Sequence, residues 1–81
     1  MKILITGSCG FVGSNLAIYL KSKNPNFEIV GLDNLKRRGS EFNIKRFRDN
    51  NIAFVHGDVR SLEDLESIGQ YDLLLECSAE P

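Results

Sequence analysis

Three equally spaced glycines, Gly7, Gly10 and Gly13, are the residues of this sequence that most directly indicate chemistry. They form G-x-x-G-x-x-G between a short apolar run and a helix-like pattern. In such a loop the first glycine permits a tight turn, the second lets backbone approach a pyrophosphate, and the third lets the helix lie close to the sheet. Helix amides and the positive end of the helix dipole then attract phosphate. The spacing favours a phosphate cradle over a plain glycine turn.

A carboxylate, Asp33, stands about 20 residues after the last of these glycines. At the carboxyl end of a strand it can accept hydrogen bonds from both hydroxyls of an adenosine ribose. The 2′-phosphate of NADP would meet its negative charge, so we expect NAD. Because arginine near this position accommodates NADP, Lys36, Arg37 and Arg38 keep NADP open as an alternative. The readings without ligand chemistry are a turn aspartate and a solvated basic loop.

A second acidic residue, Asp58, follows the predicted third strand in the run His56-Gly57-Asp58-Val59. Its carboxylate could accept the amino group of an adenine, or it could be a turn residue before the next helix. His56 is the sole histidine. No motif places a carboxylate or nucleophile beside it, so we expect a structural role at the strand end.

Two other patterns resemble reactive groups without the right placement. Tyr19 and Lys23 match Tyr-x-x-x-Lys, a proton donor with a cation that lowers its pKa. They lie about 13–20 Å along the first helix from the glycine loop at 1.5 Å per residue, so we expect an exposed helix face. Cys9 and Cys77 follow neighbouring strands, and we expect free thiols in small-residue packing.

The elements that position these groups alternate between strand and helix. Apolar runs predict strands at residues 2–6, 27–33, 52–56 and 71–76. Helical spacing predicts helices at residues 11–23, 40–50 and 61–69. The first helix has apolar residues at helical spacing: Val12, Leu16, Ala17 and Leu20. Ser40 would cap the second helix, Ser61 and Asp64 would form a capping box on the third, and Leu62, Leu65 and Ile68 would form its apolar stripe.

This order indicates an α/β fold, a partial Rossmann-type doubly wound parallel sheet with four strands ordered 3-2-1-4 and three helices. Right-handed crossovers place the first two helices on one face and the third on the other. The strand order reverses between strands one and four, and ligands of such sheets bind at the carboxyl ends of the strands there. The fourth strand would be an apolar edge, an aggregation hazard or a site of self-pairing, which allows a homo-oligomer.

Bulk properties exclude some classes of partner. The 81 residues suffice for one small domain, and the formal net charge of −1 attracts neither nucleic acid nor an anionic membrane surface. We find no signal peptide or long apolar span, and two cysteines suit a reducing compartment. We therefore expect a cytoplasmic chain without nucleic-acid or membrane partners.

With these motifs in place, the whole chain resembles the NAD-dependent sugar-nucleotide epimerase/dehydratase family of extended short-chain dehydrogenase/reductases. Within the family, "ITGSCGFVGSNLA" with "DNLKRRGSEFN" looks most like 2-epimerases of CDP-sugars. The resemblance implies that this chain holds the pyrophosphate, the ribose and the adenine of NAD and also contacts NAD by backbone, with Arg37 or Arg38 near the adenosine. The pyrophosphate would be held by Gly7, Gly10, Phe11, Val12 and Gly13. The ribose would be held by Asp33 and Asn34, and the adenine by Asp58 and Val59. The backbone contact would come from the run Ser78-Ala79-Glu80, which includes Ala79.

The resemblance also implies what this chain does not contain. Family members transiently oxidise a sugar hydroxyl of a nucleotide-sugar with bound NAD and return the hydride. Their catalytic Ser or Thr, active-site Tyr-x-x-x-Lys and sugar-nucleotide domain are expected beyond residue 81. We therefore expect residues 1–81 to be the N-terminal part of an NAD-binding Rossmann domain, with no catalytic residue, no metal site and no activity alone. A complete NAD or adenine-nucleotide binding module and a non-binding remnant are the alternatives.

One stretch departs from the family pattern. At the end of the fourth strand the family usually has a His-Leu-Ala-Ala-like run, whereas this chain has Glu76-Cys77-Ser78-Ala79. The departure concerns the local cofactor contacts, not the fold.

Overall fold

A four-stranded parallel sheet forms the centre of the computed structural model, which describes residues 1–36 and 39–78. The strands are β1 (Lys2–Thr6), β2 (Glu28–Asp33), β3 (Ala53–His56) and β4 (Leu73–Glu76). Their order is β3-β2-β1-β4, as predicted. The helices are α1 (Phe11–Lys23), α2 (Asn43–Asp49), preceded by a 3₁₀ turn at Ser40–Phe42, and α3 (Leu62–Ile68).

Register brings the carboxyl ends of the strands to one level. Thr6, the last residue of β1, pairs with Leu32 of β2 and Glu76 of β4. Asp33, which ends β2, pairs with His56, which ends β3. The loops that follow all four strands therefore start along the same edge of the sheet.

The central strand β1 is buried on both faces, as expected of a parallel sheet between helices. Ile3 and Ile5 pack on one face with Phe47 of α2, and Leu4 packs on the other with Ile68 of α3. Alternation of side chains along the strand separates the two cores. Full burial of an aliphatic or phenyl side chain contributes about 1.5–3 kcal/mol, so β1 anchors both layers.

Helix α1 buries a face of small residues, which differs from the predicted apolar stripe. Gly13, Ser14 and Ala17 face the protein, whereas Phe11 and Val12 are 82% and 64% exposed. Small side chains let the helix lie close to the loop and the sheet, and this close approach turns Val12 away from the core. Val12, which the helical spacing groups with Leu16, Ala17 and Leu20, therefore lies outside the core.

The segment before α2 corrects a predicted helix cap. Ser40 is a buried residue of the 3₁₀ turn, its hydroxyl caps neither that turn nor α2, and α2 begins at Asn43. Gly39 starts the turn with a left-handed φ of 86°. The chain thus turns tightly before the helix, where the sequence pattern indicated one continuous helix.

Helix α3 has only half of the predicted capping box. The Ser61 hydroxyl accepts a hydrogen bond from the Asp64 amide at 3.3 Å. The Asp64 carboxylate, however, accepts from the amide of Asp58 at 2.9 Å and not from that of Ser61. Leu62 is exposed, so only Leu65 and Ile68 of the predicted stripe pack on the sheet. Gly69 ends the helix as predicted.

The edge strand β4 has exposed apolar side chains, as expected. Leu73 and Leu74 are both exposed, and among the strands that the structure describes β4 pairs with β1 alone. Strands β2, β3 and β4 each begin one or two residues later than predicted, and all end where predicted.

We predict unequal losses of stability when two phenylalanines of the same segment are replaced. Phe47 is 0% exposed and Phe42 is 77% exposed. Phe47→Ala should lower the free energy of unfolding by about 3–5 kcal/mol, because it removes a ring from the core. Phe42→Ala is the matched control and should change it by less than about 0.5 kcal/mol. Urea unfolding followed by circular dichroism measures both, and equal losses would contradict this assignment of the core.

Candidate functional site

A cavity of about 680 Å³ lies at the carboxyl edge of the sheet, where the strand order reverses. It brings together eight of the predicted site residues: Gly7, Gly10, Phe11, Val12, Asp33, Asn34, Asp58 and Val59. It also contains Lys36 of the basic run and Ser78 of the predicted backbone contact, together with three polar residues that the sequence analysis did not assign to a site: Ser40, Arg60 and Glu76. Gly13 does not line the cavity, and Arg37, Arg38, Ala79 and Glu80 lie outside the described residues.

The glycine loop is fixed by crowding of backbone around Gly7. Gly7 has a φ of 65°, and a Cβ there would lie 2.7 Å from the carbonyl oxygen of Cys77. A Cβ at Gly13 would collide with the carbonyl oxygen of Gly7. The close neighbour of Gly13 is thus the loop itself, and not the sheet as predicted. Position 7 requires glycine for its left-handed φ and for space, and position 13 requires glycine for space alone.

Gly10 has a different environment from the other two glycines of the motif. Its φ is −75°, and the nearest atom to an added Cβ is the carbonyl oxygen of Gly7 at 3.4 Å, an ordinary contact. The fold therefore tolerates a side chain at this position. What a side chain would occupy is space at the lining of the cavity.

The first turn of α1 is suited to an anion. Gly10 is its N-cap residue, so no side-chain oxygen satisfies the first amides, and the first turn contains no acidic residue. The amides at a helix start lack partners within the helix and carry the positive end of its dipole. Phe11 and Val12, exposed on this turn, form an apolar wall of the cavity.

Two side chains hold the peptide groups of Cys9 within the loop. The Cys9 amide donates to Oδ2 of Asp33 at 2.9 Å, and the Cys9 carbonyl accepts from Nδ2 of Asn43 at 2.7 Å. Arg46 donates to Oδ1 of Asn43 at 2.7 Å and to Oδ1 of Asn15 at 3.1 Å. The loop is thereby connected to β2, α2 and α1. The sequence analysis missed Asn43, because no spacing rule connects the start of α2 with the loop.

Asp33 combines the predicted site position with the role of a turn aspartate. Its Oδ1 accepts from the amide of Leu35 at 2.7 Å, which supports the left-handed φ of 58° at Leu35. The Asn34 side chain accepts from the amide of Lys36 at 3.0 Å in the same way. Since each carboxylate oxygen can accept about two hydrogen bonds, one further position on each oxygen of Asp33 stays available to a ligand.

His56 has the structural role that was expected of it. Its Nε2 lies 3.1 Å from the carbonyl oxygen of Asn34, which joins the end of β3 to the loop after β2. His56 does not line the cavity.

Asp58 and Val59 form the end of the cavity near β3. Nη2 and Nε of Arg60 donate to the two carboxylate oxygens of Asp58 at 2.9 and 3.1 Å. These contacts and the Arg60 amide hold the pKa of Asp58 well below its usual range. Asp58 is therefore an ionised acceptor at neutral pH. The side chain of Val59 is exposed at the cavity wall.

The β4 end, where the chain departs from the family pattern, also reaches the cavity. Oε1 of Glu76 accepts from the amide of Ser78 at 2.7 Å, and both residues line the cavity. A carboxylate therefore lines the cavity at the position where the His-Leu-Ala-Ala-like run begins with histidine.

The two cysteines are free and packed, as expected. Cys9 is buried, and burial, with the nearby Asp33 carboxylate, raises its pKa to about 11. Burial also raises the pKa of Cys77. Both thiols are therefore protonated at neutral pH, which suits packing and not nucleophilic chemistry.

Tyr19 and Lys23 lie on an exposed face of α1, as predicted. Nζ of Lys23 is 5.8 Å from the centre of the Tyr19 ring, and neither residue lines the cavity. Within residues 1–36 and 39–78, no group of three metal-ligating side chains occurs, and no helix has the length and apolar character to cross a membrane.

Comparison with known proteins matches this chain to one protein family. The model of the NAD dependent epimerase/dehydratase family matches residues 3–80. CDP-paratose 2-epimerase of Salmonella typhi is 44% identical over 66 residues, which are 80% of this chain and 19% of that protein.

Solved structures show the same arrangement. dTDP-glucose 4,6-dehydratase from Bacillus anthracis, in complex with NAD, superposes with a TM-score of 0.85 at 33% identity, covering 99% of this chain and 27% of that one. UDP-glucuronic acid 4-epimerase from Bacillus cereus, in complex with UDP-glucuronic acid and NAD, superposes with a TM-score of 0.81 at 28% identity. The superposition covers 100% of this chain and 27% of that one. This chain thus spans only about a fifth to a quarter of the length of these relatives.

We predict that Asn43 stabilises the loop from α2. Asn43→Ala removes the donor to the Cys9 carbonyl and should lower the free energy of unfolding by about 1–3 kcal/mol. Asn26→Ala, at an exposed turn position, is the control and should change it by less than about 0.5 kcal/mol. Chemical denaturation measures both, and an unchanged stability of Asn43→Ala would show that this hydrogen bond does not hold the loop.

We predict slow alkylation of Cys9 in the folded chain. A rise in pKa from 9.0 to about 11 lowers the thiolate fraction at pH 8 roughly 100-fold, and burial limits access further. Iodoacetamide labelling read by mass spectrometry should therefore be at least about 100-fold slower at Cys9 in buffer than in urea. Equal rates in the two solvents would contradict the packed, protonated thiol.

Proposed function

Because the chain belongs to the NAD-dependent epimerase/dehydratase family, we propose that it binds NAD in the cavity at the carboxyl edge of its sheet. Residues 1–81 would supply the N-terminal, NAD-binding part of a Rossmann domain in a sugar-nucleotide epimerase or dehydratase. The single observation that carries this proposal is the start of α1 at Gly10, which has no side-chain cap and opens to the cavity. The same cavity is lined by Asp33 at the end of β2 and by Asp58 after β3.

The phosphate end of the cavity fits a dinucleotide. A pyrophosphate needs backbone donors at a position that side chains do not fill, and Gly10 with the first turn of α1 provides this. Gly7 and Gly13 act indirectly, since they allow the loop to take this shape. Phe11 and Val12 would contribute their amides to the phosphates and their exposed side chains to the wall.

The adenosine end fits through acceptors. Asp33 and Asn34 would hold the ribose, and Asp58 with the Val59 amide would hold the adenine. The Asp33 carboxylate at the ribose position disfavours the 2′-phosphate of NADP, so we propose NAD as the cofactor. Of the basic run at residues 36–38, the structure describes Lys36, and this residue lines the cavity. Arg38 and Ala79 belong to the same proposal and lie outside the described residues.

Bound NAD supplies a hydride acceptor that can also return the hydride. The residues of this chain bind and orient it, and we assign none of them a catalytic role. For the whole protein we propose transient oxidation of a nucleotide-sugar hydroxyl, with a CDP-sugar such as CDP-paratose as substrate. That choice rests on the similarity to the Salmonella typhi 2-epimerase. The exposed apolar side chains of β4 support the further proposal of a homo-oligomer. The compartment that we propose is the cytoplasm.

A second candidate function is a nucleotide-binding module without turnover. It is favoured by the same observation, since every group assigned above binds and none reacts. It shares the prediction of NAD binding, and it differs in that no redox change of bound NAD would accompany a nucleotide-sugar in the natural protein.

We predict that Gly10→Glu abolishes NAD binding while the fold is kept. The position tolerates a side chain, and two unit charges 4 Å apart cost about 4 kcal/mol at an effective dielectric constant of 20, so affinity should fall more than about 100-fold. Isothermal titration calorimetry with NAD measures this, and circular dichroism checks the fold.

The matched control is Ser22→Glu, which adds the same charge at an exposed position near the other end of α1. It should bind NAD as the unmodified chain does. If folded Gly10→Glu bound NAD with unchanged affinity, the glycine loop would not be the phosphate site.

A further inference from the structure

The guanidinium of Arg60 binds the carboxylate of Asp58 through two hydrogen bonds. Nη2 of Arg60 donates to Oδ2 of Asp58 at 2.9 Å, and Nε donates to Oδ1 at 3.1 Å. The Arg60 amide donates to the same Oδ1 at 2.8 Å. Such a two-point contact between a planar guanidinium and a carboxylate fixes the plane of the carboxylate as well as its position.

The main chain of Asp58 is also fixed. Its amide donates to Oδ2 of Asp64 at 2.9 Å, and its carbonyl accepts from the amide of Ser61 at 2.9 Å. With the backbone held by the start of α3, rotation of its own side chain is the main freedom left to Asp58. Arg60 removes that freedom.

The contacts distinguish the two carboxylate oxygens. Each oxygen of an ionised carboxylate can accept about two hydrogen bonds. Oδ1 accepts two, from Nε and from the amide of Arg60, whereas Oδ2 accepts one from Arg60. Oδ2 is therefore the oxygen with capacity for another donor, and Asp58 and Arg60 both line the cavity.

We infer that Arg60 is a positioning residue for base recognition: it holds Asp58 so that Oδ2 accepts the amino group of adenine and rejects a base with an oxo group there. The inference rests on the proposed NAD site and adds to it a residue that sets base selectivity. Asp58 has an ordinary pKa of 3.8, so it stays ionised at neutral pH even without Arg60. The effect of Arg60 on selectivity is thus one of geometry.

The test compares two dinucleotides that differ at one group, NAD and nicotinamide hypoxanthine dinucleotide, which has an oxo group in place of the adenine amino group. Dissociation constants are measured at pH 7 by calorimetry. A hydrogen bond to a charged acceptor should give the unmodified chain at least about a tenfold preference for NAD. Arg60→Gln should reduce this preference to about threefold or less, with unchanged affinity for the hypoxanthine compound.

Two further variants separate positioning from charge and from general effects. Arg60→Lys keeps the positive charge without the planar two-point contact, so it should lose selectivity as Arg60→Gln does. Arg48→Gln, on the exposed side of α2 and outside the cavity lining, is the matched control and should keep the full preference. The Arg60 side chain is 76% exposed, so its replacement should leave the fold intact.

The outcomes distinguish this inference from the proposed function. If both Arg60 variants kept the preference of the unmodified chain, the inference would be overturned while NAD binding stood. Retention of the full preference by Arg60→Lys alone would overturn the geometric role in favour of charge. If the unmodified chain bound both dinucleotides equally well, Asp58 would not read the base. If it bound neither, the proposed function would fail together with the inference.

Discussion

Three backbone segments meet at Gly7, and the rest of the site depends on this meeting. The loop after β1, the first turn of α1 at Gly13 and the chain leaving β4 at Cys77 are all so close to it that no Cβ fits at Gly7 or Gly13. A side chain at Gly13 would push α1 away from the loop, and a side chain at Gly7 would push the chain after β4 away from it. The start of the helix, with its unsatisfied amides, would then no longer face the cavity at the strand ends.

Polar side chains keep this backbone in place. Cys9 is held at its amide by Asp33 and at its carbonyl by Asn43, so neighbouring elements fix the loop before any ligand arrives. Preorganised donors lose less conformational entropy on binding than mobile ones. Asp33 therefore supports the loop through two accepted hydrogen bonds, and its remaining acceptor positions leave room for the ribose contact that we propose.

The sequence was sufficient for the sheet and for most of the cavity. Uninterrupted apolar runs indicated the strands, and in the expected order 3-2-1-4, which the structure has, the carboxyl ends of the strands determine where Gly10, Asp33 and Asp58 meet. The exposure of Phe11 and Val12 was not predicted, because helical periodicity records only that a residue is apolar and not whether it faces a core or a cavity.

Long-range side-chain pairing was the other limit. Asn43 to Cys9 spans 34 residues, and no local rule predicts such a bond. Ser40 has the residue type of a helix cap, but Gly39 directs the chain into a 3₁₀ turn first. Asp64 was assigned to the cap of its own helix, whereas in the fold its carboxylate accepts from Asp58, because the loop after β3 passes over the start of α3.

The central claim is that the cavity at the carboxyl edge of the sheet holds NAD, and titration of the ¹⁵N-labelled chain with NAD tests it most directly. The account predicts saturable amide shifts at Gly10, Phe11 and Val12, together with shifts at Asp58 and Val59. Shifts absent from these amides, or confined to the smaller cavity at the opposite end of α1 near Lys21 and Asn50, would contradict it.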